Sequence, residues 1–262
     1  MTAGAGDRPA GRFAGRTAVV AGASEGIGLA VAAGLVEGGA NVVLVARRED
    51  VLDEAVGKLG PAASGIAGDV ADETTAARAV AHAVDTHGGL DLLHFNAGTL
   101  LPGDIAGQPL EHVDRMLAVN LRGPIVFVRE AAPALAKRPG AAVTLTSSAT
   151  GRLPVPGLGV YGATKAALHY LVSTWAIELA PSGIRVNALC PGGTYTPSMY
   201  AAAQAIPGLE ENTIATNLVK RMATPEEIAR PALTLLDSEE SGYVTGAVWD
   251  IDGGYQRDRS AG

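Results

Sequence analysis

Short runs of aliphatic and β-branched residues alternate along this chain with longer stretches whose apolar positions recur every three or four residues. The short runs cover residues 17–21, 41–46, 64–68, 91–95, 141–146, 184–189 and 247–251, and turn-forming residues bound each one. They predict about seven β-strands. The longer stretches, among them 28–37, 74–86 and 109–136, predict helices. Strand–helix alternation of this kind predicts a parallel sheet covered on both faces. With right-handed crossovers it becomes an α/β fold of the Rossmann type, doubly wound. No repeat, low-complexity tract or linker divides the chain, so residues 15–262 are expected to form one domain. Residues 1–14 read as a disordered tail without an apolar leader. Residues 194–221 follow a strand and have weak periodicity, which predicts an irregular lid.

Composition narrows the class. The chain has 262 residues and a net charge of −7. That charge disfavours nucleic acid or an anionic membrane as a partner. No segment approaches the roughly 18 uninterrupted apolar residues of a membrane span. The single cysteine, Cys190, excludes an internal disulfide and fits a reducing, cytoplasmic compartment. Its neighbours Leu189 and Pro191 mark it as a buried small apolar residue rather than a nucleophile.

Two stretches carry candidate chemistry. In "VVAGASEGIGLAV", Gly22, Gly26 and Gly28 follow a strand and open a helix. Gly22 permits a tight turn, Gly26 lets backbone approach a pyrophosphate, and Gly28 allows close helix–strand packing. The helix N-terminus then offers free N–H groups to phosphate. In "SSATGRLPVPGLGVYGATKAAL", Tyr161 stands four residues before Lys165 at the start of a helix, so the two share a face. A tyrosine has a pKa of about 10 and needs roughly 4 kcal/mol of differential stabilisation to reach about 7. A neighbouring ammonium is expected to supply much of that.

Two more stretches complete the pattern: "FNAG" from Phe95 to Gly98, and Asn120 in "MLAVNLRG". Together with the glycine spacing and Ser148…Tyr161-x-x-x-Lys165, the chain resembles the short-chain dehydrogenase/reductase family from about Gly15 to Tyr255. The resemblance implies a catalytic set of Asn120, Ser148, Tyr161 and Lys165. Tyr161 would exchange a proton with a carbonyl or alcohol oxygen, and Ser148 would hydrogen-bond that oxygen. Lys165 would tune Tyr161 and bind the nicotinamide ribose. Asn120 would hold a water leading from Lys165 to solvent. Ser148 is preferred to Ser147 because the family spacing to the tyrosine is thirteen.

The same resemblance implies a nicotinamide coenzyme held by Gly22, Ser24, Glu25, Gly26, Ile27 and Gly28. Asp69 would accept from the adenine amino group, beside the backbone of Val70. Asn96, Ala97 and Gly98 would approach the adenosine ribose. Pro191, Gly192, Thr194 and Thr196 would hold the nicotinamide. No residue is assigned to a metal. At the end of the second strand, Ala46 stands where NAD enzymes of the family carry an acid, and Arg47 and Arg48 follow. Arginine suits a 2′-phosphate, so NADP(H) is favoured. Glu25 in the glycine loop points instead to NAD(H), and it is expected to pair with Arg47 when no coenzyme is bound.

Leu153, Leu158, Met199 and Tyr200, with Ser148 and Tyr161, are expected to border the substrate. Their apolar character suits a bulky ketone or alcohol. Leu168, Leu171, Trp175 and Leu179 suggest a helix too apolar for one sheet, hence one buried between subunits. With the family resemblance this implies a homotetramer. The expected activity is NADP(H)-dependent interconversion of a ketone and a secondary alcohol. The alternatives are an NAD-dependent alcohol dehydrogenase of the same family or a catalytically silent nucleotide-binding module.

Overall fold

A computed structural model describes residues 11–255. Seven strands form one sheet: β1 (Thr17–Ala21), β2 (Asn41–Ala46), β3 (Ala63–Ala67), β4 (Leu92–Phe95), β5 (Ala142–Thr146), β6 (Arg185–Pro191) and β7 (Val248–Ile251). All pairings are parallel, in the order β3-β2-β1-β4-β5-β6-β7. The order reverses between β1 and β4, and that reversal opens a crevice at the carboxyl ends of these strands.

Ten α-helices among the described residues connect and cover the strands. They are α1 (Gly26–Glu37), α2 (Glu49–Leu59), α3 (Glu73–His87), α4 (Leu110–Leu117), α5 (Gly123–Leu135), α6 (Gly159–Leu179), α7 (Pro197–Ala205), α8 (Leu209–Thr216), α9 (Pro225–Leu236) and α10 (Ser238–Ser241). Strand residues alternate between two cores, as side chains on a pleated strand must. Val19, Val43, Leu93 and Val143 pack with α3, α5 and α6. Ala18, Val20, Val42 and Leu92 pack with α1, α2 and α9. No helix among the described residues is long and apolar enough to cross a membrane.

Three expectations change. Residues 1–10 of the expected tail lie outside the described residues, but the chain is docked before residue 15. Phe13 is buried, its amide donates to the Gly38 carbonyl at 2.6 Å, and Arg12 pairs with Asp237 at 2.8 Å. The segment expected to be irregular contains α7 and α8, short helices whose apolar residues do not fall on one clear face. In α6, the spacings 168, 171, 175 and 179 keep those four residues within one stripe, and all four pack on the core. The apolar side chains that α6 leaves exposed are Tyr170 and Ile177.

The amino ends of the central strands are tied by one carboxylate. Asp91, just before β4, accepts from the Thr17 amide (2.9 Å), from Arg16 (2.9 Å) and from Arg138 (3.0 and 3.2 Å). Burial alone would raise its pKa, but the bonds from Arg138, the Thr17 amide and Arg16 outweigh it and hold Asp91 below the usual carboxylate value. A depressed folded pKa stabilises the fold above the unfolded value, and this contribution fades as pH falls through the folded one. Asp91→Asn is therefore expected to lower unfolding free energy by about 2–4 kcal/mol at neutral pH. Its deficit against wild type should shrink in acid. Urea unfolding of both proteins at neutral pH and below about pH 3 reads this; an equal gap at both would refute it.

Candidate active site

The glycine loop lies at the carboxyl end of β1. Gly22 has a φ of +79°, and its amide donates to the Val45 carbonyl at 2.8 Å. A Cβ on Gly28 would stand 2.0 Å from the Gly22 carbonyl oxygen, so only glycine lets α1 start this close to the turn. Glu25, at the N-cap of α1, makes no side-chain cap bond. The first N–H groups of α1 thus keep their donor capacity for an anion. Asn96 donates its side-chain amide to the Gly22 carbonyl at 3.0 Å and fixes the loop against β4.

The second half of the site is built by β5 and α6. Ser147 and Ser148 diverge at the end of β5, as adjacent strand residues do. The Ser147 hydroxyl donates to the Lys165 carbonyl (3.0 Å) and lies 2.8 Å from His169 Nε2. The Ser148 hydroxyl oxygen accepts from the Thr150 hydroxyl (2.9 Å) and hydrogen-bonds Tyr161. A Cβ on Gly151 would come within 2.9 Å of the Ala166 nitrogen, and one on Gly162 within 2.8 Å of the Thr150 carbonyl oxygen. This paired absence of side chains lets the turn after β5 lie flat on α6 and bring Ser148 to Tyr161.

Lys165 is buried, and its ammonium donates to the Thr146 carbonyl at 2.8 Å. Its Nζ lies 5.7 Å from the centroid of the Tyr161 ring. Burial lowers Lys165 to about 8. Burial also pushes Tyr161 up to about 12, against a smaller downward effect of Ser148 and with a small upward one from Cys190. In the free protein the tyrosine is therefore not pulled down by the lysine. The ammonium is tethered to a backbone carbonyl beside the ring, and desolvation of the phenolate dominates.

Asn120 occupies a π-helical turn, Ala118–Arg122, that joins α4 to α5. Such an extra residue in a helix re-aims a side chain. Here Asn120 accepts from the Thr99 amide at 2.8 Å and donates to the Thr99 carbonyl (2.8 Å) and the Thr164 hydroxyl (3.2 Å). Its amide clamps the loop after β4.

One cleft joins both halves. It is lined by Gly22, Ser24, Glu25, Gly26 and Ile27 of the loop, and by Arg47 and Arg48 after β2. Val70, Asn96, Ala97 and Gly98 form one wall, and Pro191, Gly192, Thr194 and Thr196 the other. Ser148, Leu158, Tyr161, Lys165 and Met199 close the far end. Gly28, Asp69, Asn120, Leu153 and Tyr200 are not on its surface. Tyr200 is half exposed and stacks on Tyr195 at 6.3 Å between centroids. Leu100, Val155, Leu209, Thr213 and Tyr255 line the cleft where Leu153 and Tyr200 were expected. Leu209 and Thr213 had no legible signal, because the lid helix that carries them has weak periodicity.

One local pairing differs from expectation, and the structure adds two more. Glu25 pairs with Arg48, at 2.6 Å, not with Arg47. Thr196 uses its hydroxyl oxygen to cap α7, accepting from the Met199 amide at 3.2 Å. Asp69 accepts from Arg115 at 2.7 Å and from the Ala71 amide at 3.0 Å. Arg115 was not singled out in the sequence. Cys190 is buried, and burial raises its thiol to about 12, so it is inert as a nucleophile.

Comparison with known proteins agrees with this architecture. The family model described as enoyl-(acyl carrier protein) reductase matches residues 22–256. Dehydrogenase/reductase SDR family member 4 of Bos taurus is 35% identical over 243 residues, covering 91% of this chain and 86% of that protein. A short-chain type dehydrogenase/reductase from Mycobacterium ulcerans superposes with a TM-score of 0.87 at 33% identity, over 92% of this chain and 90% of the other. A 3-ketoacyl-(acyl-carrier-protein) reductase from Brucella melitensis, complexed with NADH, gives a TM-score of 0.85 at 30% identity, over 93% and 99%.

The raised Tyr161 has a direct readout. Ultraviolet difference titration of wild type against Tyr161→Phe is expected to show no phenolate from this residue up to about pH 10, the value of an unperturbed tyrosine. A phenolate appearing near neutrality in the free protein would show that Lys165, not burial, controls the hydroxyl.

Proposed function

Because the chain belongs to the short-chain dehydrogenase/reductase family, we propose that it interconverts a ketone and a secondary alcohol with NADP(H) as its coenzyme. The observation that carries this reading is the meeting of Ser148, Tyr161 and Lys165 at one end of a cleft whose other end holds the glycine loop and Arg47. The uncapped N-terminus of α1 and the glycine turn fit a pyrophosphate. When bound, the nicotinamide ring gives or takes the hydride.

The chain's own residues handle the proton. Tyr161, neutral well above pH 7, donates its hydroxyl proton to the carbonyl oxygen in reduction and recovers one in oxidation. Ser148 donates a hydrogen bond to the same oxygen and stabilises the charge that develops there. Lys165 contributes positive charge until pH rises through about 8, with further N–H groups for ribose hydroxyls. Asn120 positions Thr99, and through it the wall of the cleft. Gly22, Ser24, Gly26 and Ile27 surround the phosphates; Val70, Asn96, Ala97 and Gly98 face the adenosine; Pro191, Gly192, Thr194 and Thr196 face the nicotinamide.

Arg47 supports the 2′-phosphate. It is exposed on the cleft and follows Ala46, which offers no carboxylate. NAD(H) is the second reading, favoured by Glu25 on the glycine loop beside Arg48. Leu100, Val155, Leu158, Met199 and Leu209 suit a bulky, moderately apolar substrate, with α7 and α8 as its lid. The exposed Tyr170 and Ile177 of α6, with Leu117 and Ile125 of α4 and α5, suit a homotetramer. A single cysteine fits a reducing, cytoplasmic compartment.

NADPH consumption with a panel of bulky ketones tests the activity, and an anionic sugar phosphate emerging as best substrate would refute the substrate class. Tyr161→Phe is expected to cut turnover by about 10²–10⁴-fold with coenzyme binding retained. Arg47→Asp should weaken NADPH and admit NADH, by about tenfold or more in the ratio of their affinities; an unchanged ratio favours the NAD reading. Light scattering at micromolar concentration should give four chains, and a monomer would remove the assembly.

A further inference from the structure

Two hydroxyls meet just after β5, and one of them is given over to the other. Thr150 stands in a single 3₁₀ turn, Ala149–Gly151, that follows Ser148. Its hydroxyl donates to Ser148 Oγ at 2.9 Å, and its amide donates to the same oxygen at 3.3 Å. A serine hydroxyl has two lone pairs and one proton. Thr150 therefore fills both acceptor sites of Ser148, and only the Ser148 proton is left to make a further bond. That bond goes to Tyr161 and acts to lower its pKa, against the larger upward effect of burial, as a donor to phenolate must. Ser147 is turned the other way, and its hydroxyl donates back to the Lys165 carbonyl at 3.0 Å. Backbone holds Thr150 in place. The Gly151 amide donates to the Ser148 carbonyl at 2.9 Å, and the Leu153 amide to the Ala149 carbonyl at 3.0 Å. Gly162 leaves room in α6 for the Thr150 carbonyl oxygen, which a Cβ there would meet at 2.8 Å. Thr150 and Ser148 are both half-buried and both line the cleft.

We propose that Thr150 is a positioning residue: it occupies the acceptor sites of Ser148, so that Ser148 can only donate to the oxygen that reacts. This rests on the ketone–alcohol reading above and gives a role to a residue outside the set Asn120, Ser148, Tyr161 and Lys165. A Ser148 free to accept would compete for the Tyr161 hydroxyl proton and turn it away from the carbonyl. With its lone pairs filled, Ser148 and Tyr161 both direct protons at one oxygen. In reduction the carbonyl oxygen takes the Tyr161 proton while Ser148 keeps its own, and the bond from Ser148 strengthens as charge develops. The bond from Thr150 also polarises the Ser148 O–H, since linked hydrogen bonds reinforce one another. The benefit therefore falls on the transition state rather than on ground-state binding.

Steady-state kinetics read this on the aryl or cyclic ketone that wild type reduces fastest, with NADPH, or with NADH where NADPH binds poorly. Thr150→Val keeps the branched shape and the amide and removes the hydroxyl. Its kcat and kcat/KM are expected to fall together by about threefold or more, the size of one neutral hydrogen bond. The KM for the ketone, and the coenzyme affinity from fluorescence titration, should each stay within about twofold. Thr150→Ser restores the hydroxyl without the methyl group and should recover kcat to within about twofold of wild type. A hydroxyl that only packed the turn or touched the substrate would move KM or the coenzyme affinity instead. Thr150→Val with kcat within about threefold of wild type, a loss carried by KM or by coenzyme affinity, or a Thr150→Ser that falls short of that recovery, overturns the proposal. A wild type that binds coenzyme and reduces no ketone overturns the ketone–alcohol reading itself, and this proposal with it.

Discussion

The site depends on a lysine ammonium kept out of water. Lys165 is buried between α6 and the end of β5, and one of its N–H groups is spent on the Thr146 carbonyl. Burial of a cation opposes its charge, and that opposition brings Lys165 down to about 8. The charge therefore survives at neutral pH with little margin. The same dryness acts on Tyr161 in the opposite sense of acidity, since the phenolate is its charged form. One environment makes the tyrosine a poorer acid and the lysine a better one. Neither shift is an ion-pair effect. A ligand that brings hydroxyls or positive charge to this end of the cleft would alter both groups, so the resting site is poised for an occupant.

The two ends of the sheet solve opposite problems. At the amino ends, Asp91 gathers two guanidinium groups and a strand amide, which fixes β1 and β4 relative to one another. At the carboxyl ends, donors are left with spare capacity, at the N-terminus of α1 and on Lys165, and side chains are deleted where backbone must pass close to backbone. A fully satisfied lower edge lets the upper edge remain under-satisfied without loosening the strands that carry it. The hydrogen bond from Asn96 to the Gly22 carbonyl and the clamp of Asn120 on Thr99 do the local positioning.

Strands were legible because their signal is local. Residues 17–21 and 41–46 are wholly aliphatic or β-branched apart from one end, and they are buried on both faces of the sheet. The glycine loop and the Tyr161–Lys165 pair were legible because spacing along one helix or one turn fixes which groups meet. What could not be read was set by packing between elements. Whether Glu25 reaches Arg47 or Arg48 depends on the rotation of the turn into α2. Whether Asp69 is free depends on an arginine 46 positions later, on a helix across the crevice. The direction of the Tyr161 shift depends on burial, which no spacing reveals. For α6 the misreading was one of geometry, since steps of three and four residues describe one face and not several.

The rim arginines explain how an acidic chain can still receive a polyanion. Arg48 and Arg115 are each held by a carboxylate, Glu25 and Asp69, while Arg47 stands exposed beside them. Unpaired, three neighbouring guanidinium groups would repel one another and wander over several rotamers. Paired, two of them are fixed at the mouth at little net charge. Half-exposed pairs of this kind contribute only about 0–1 kcal/mol, so an incoming phosphate would meet little opposition from them. Glu25 orders Arg48 beside the glycine loop, and Asp69 orders Arg115 at the cleft wall.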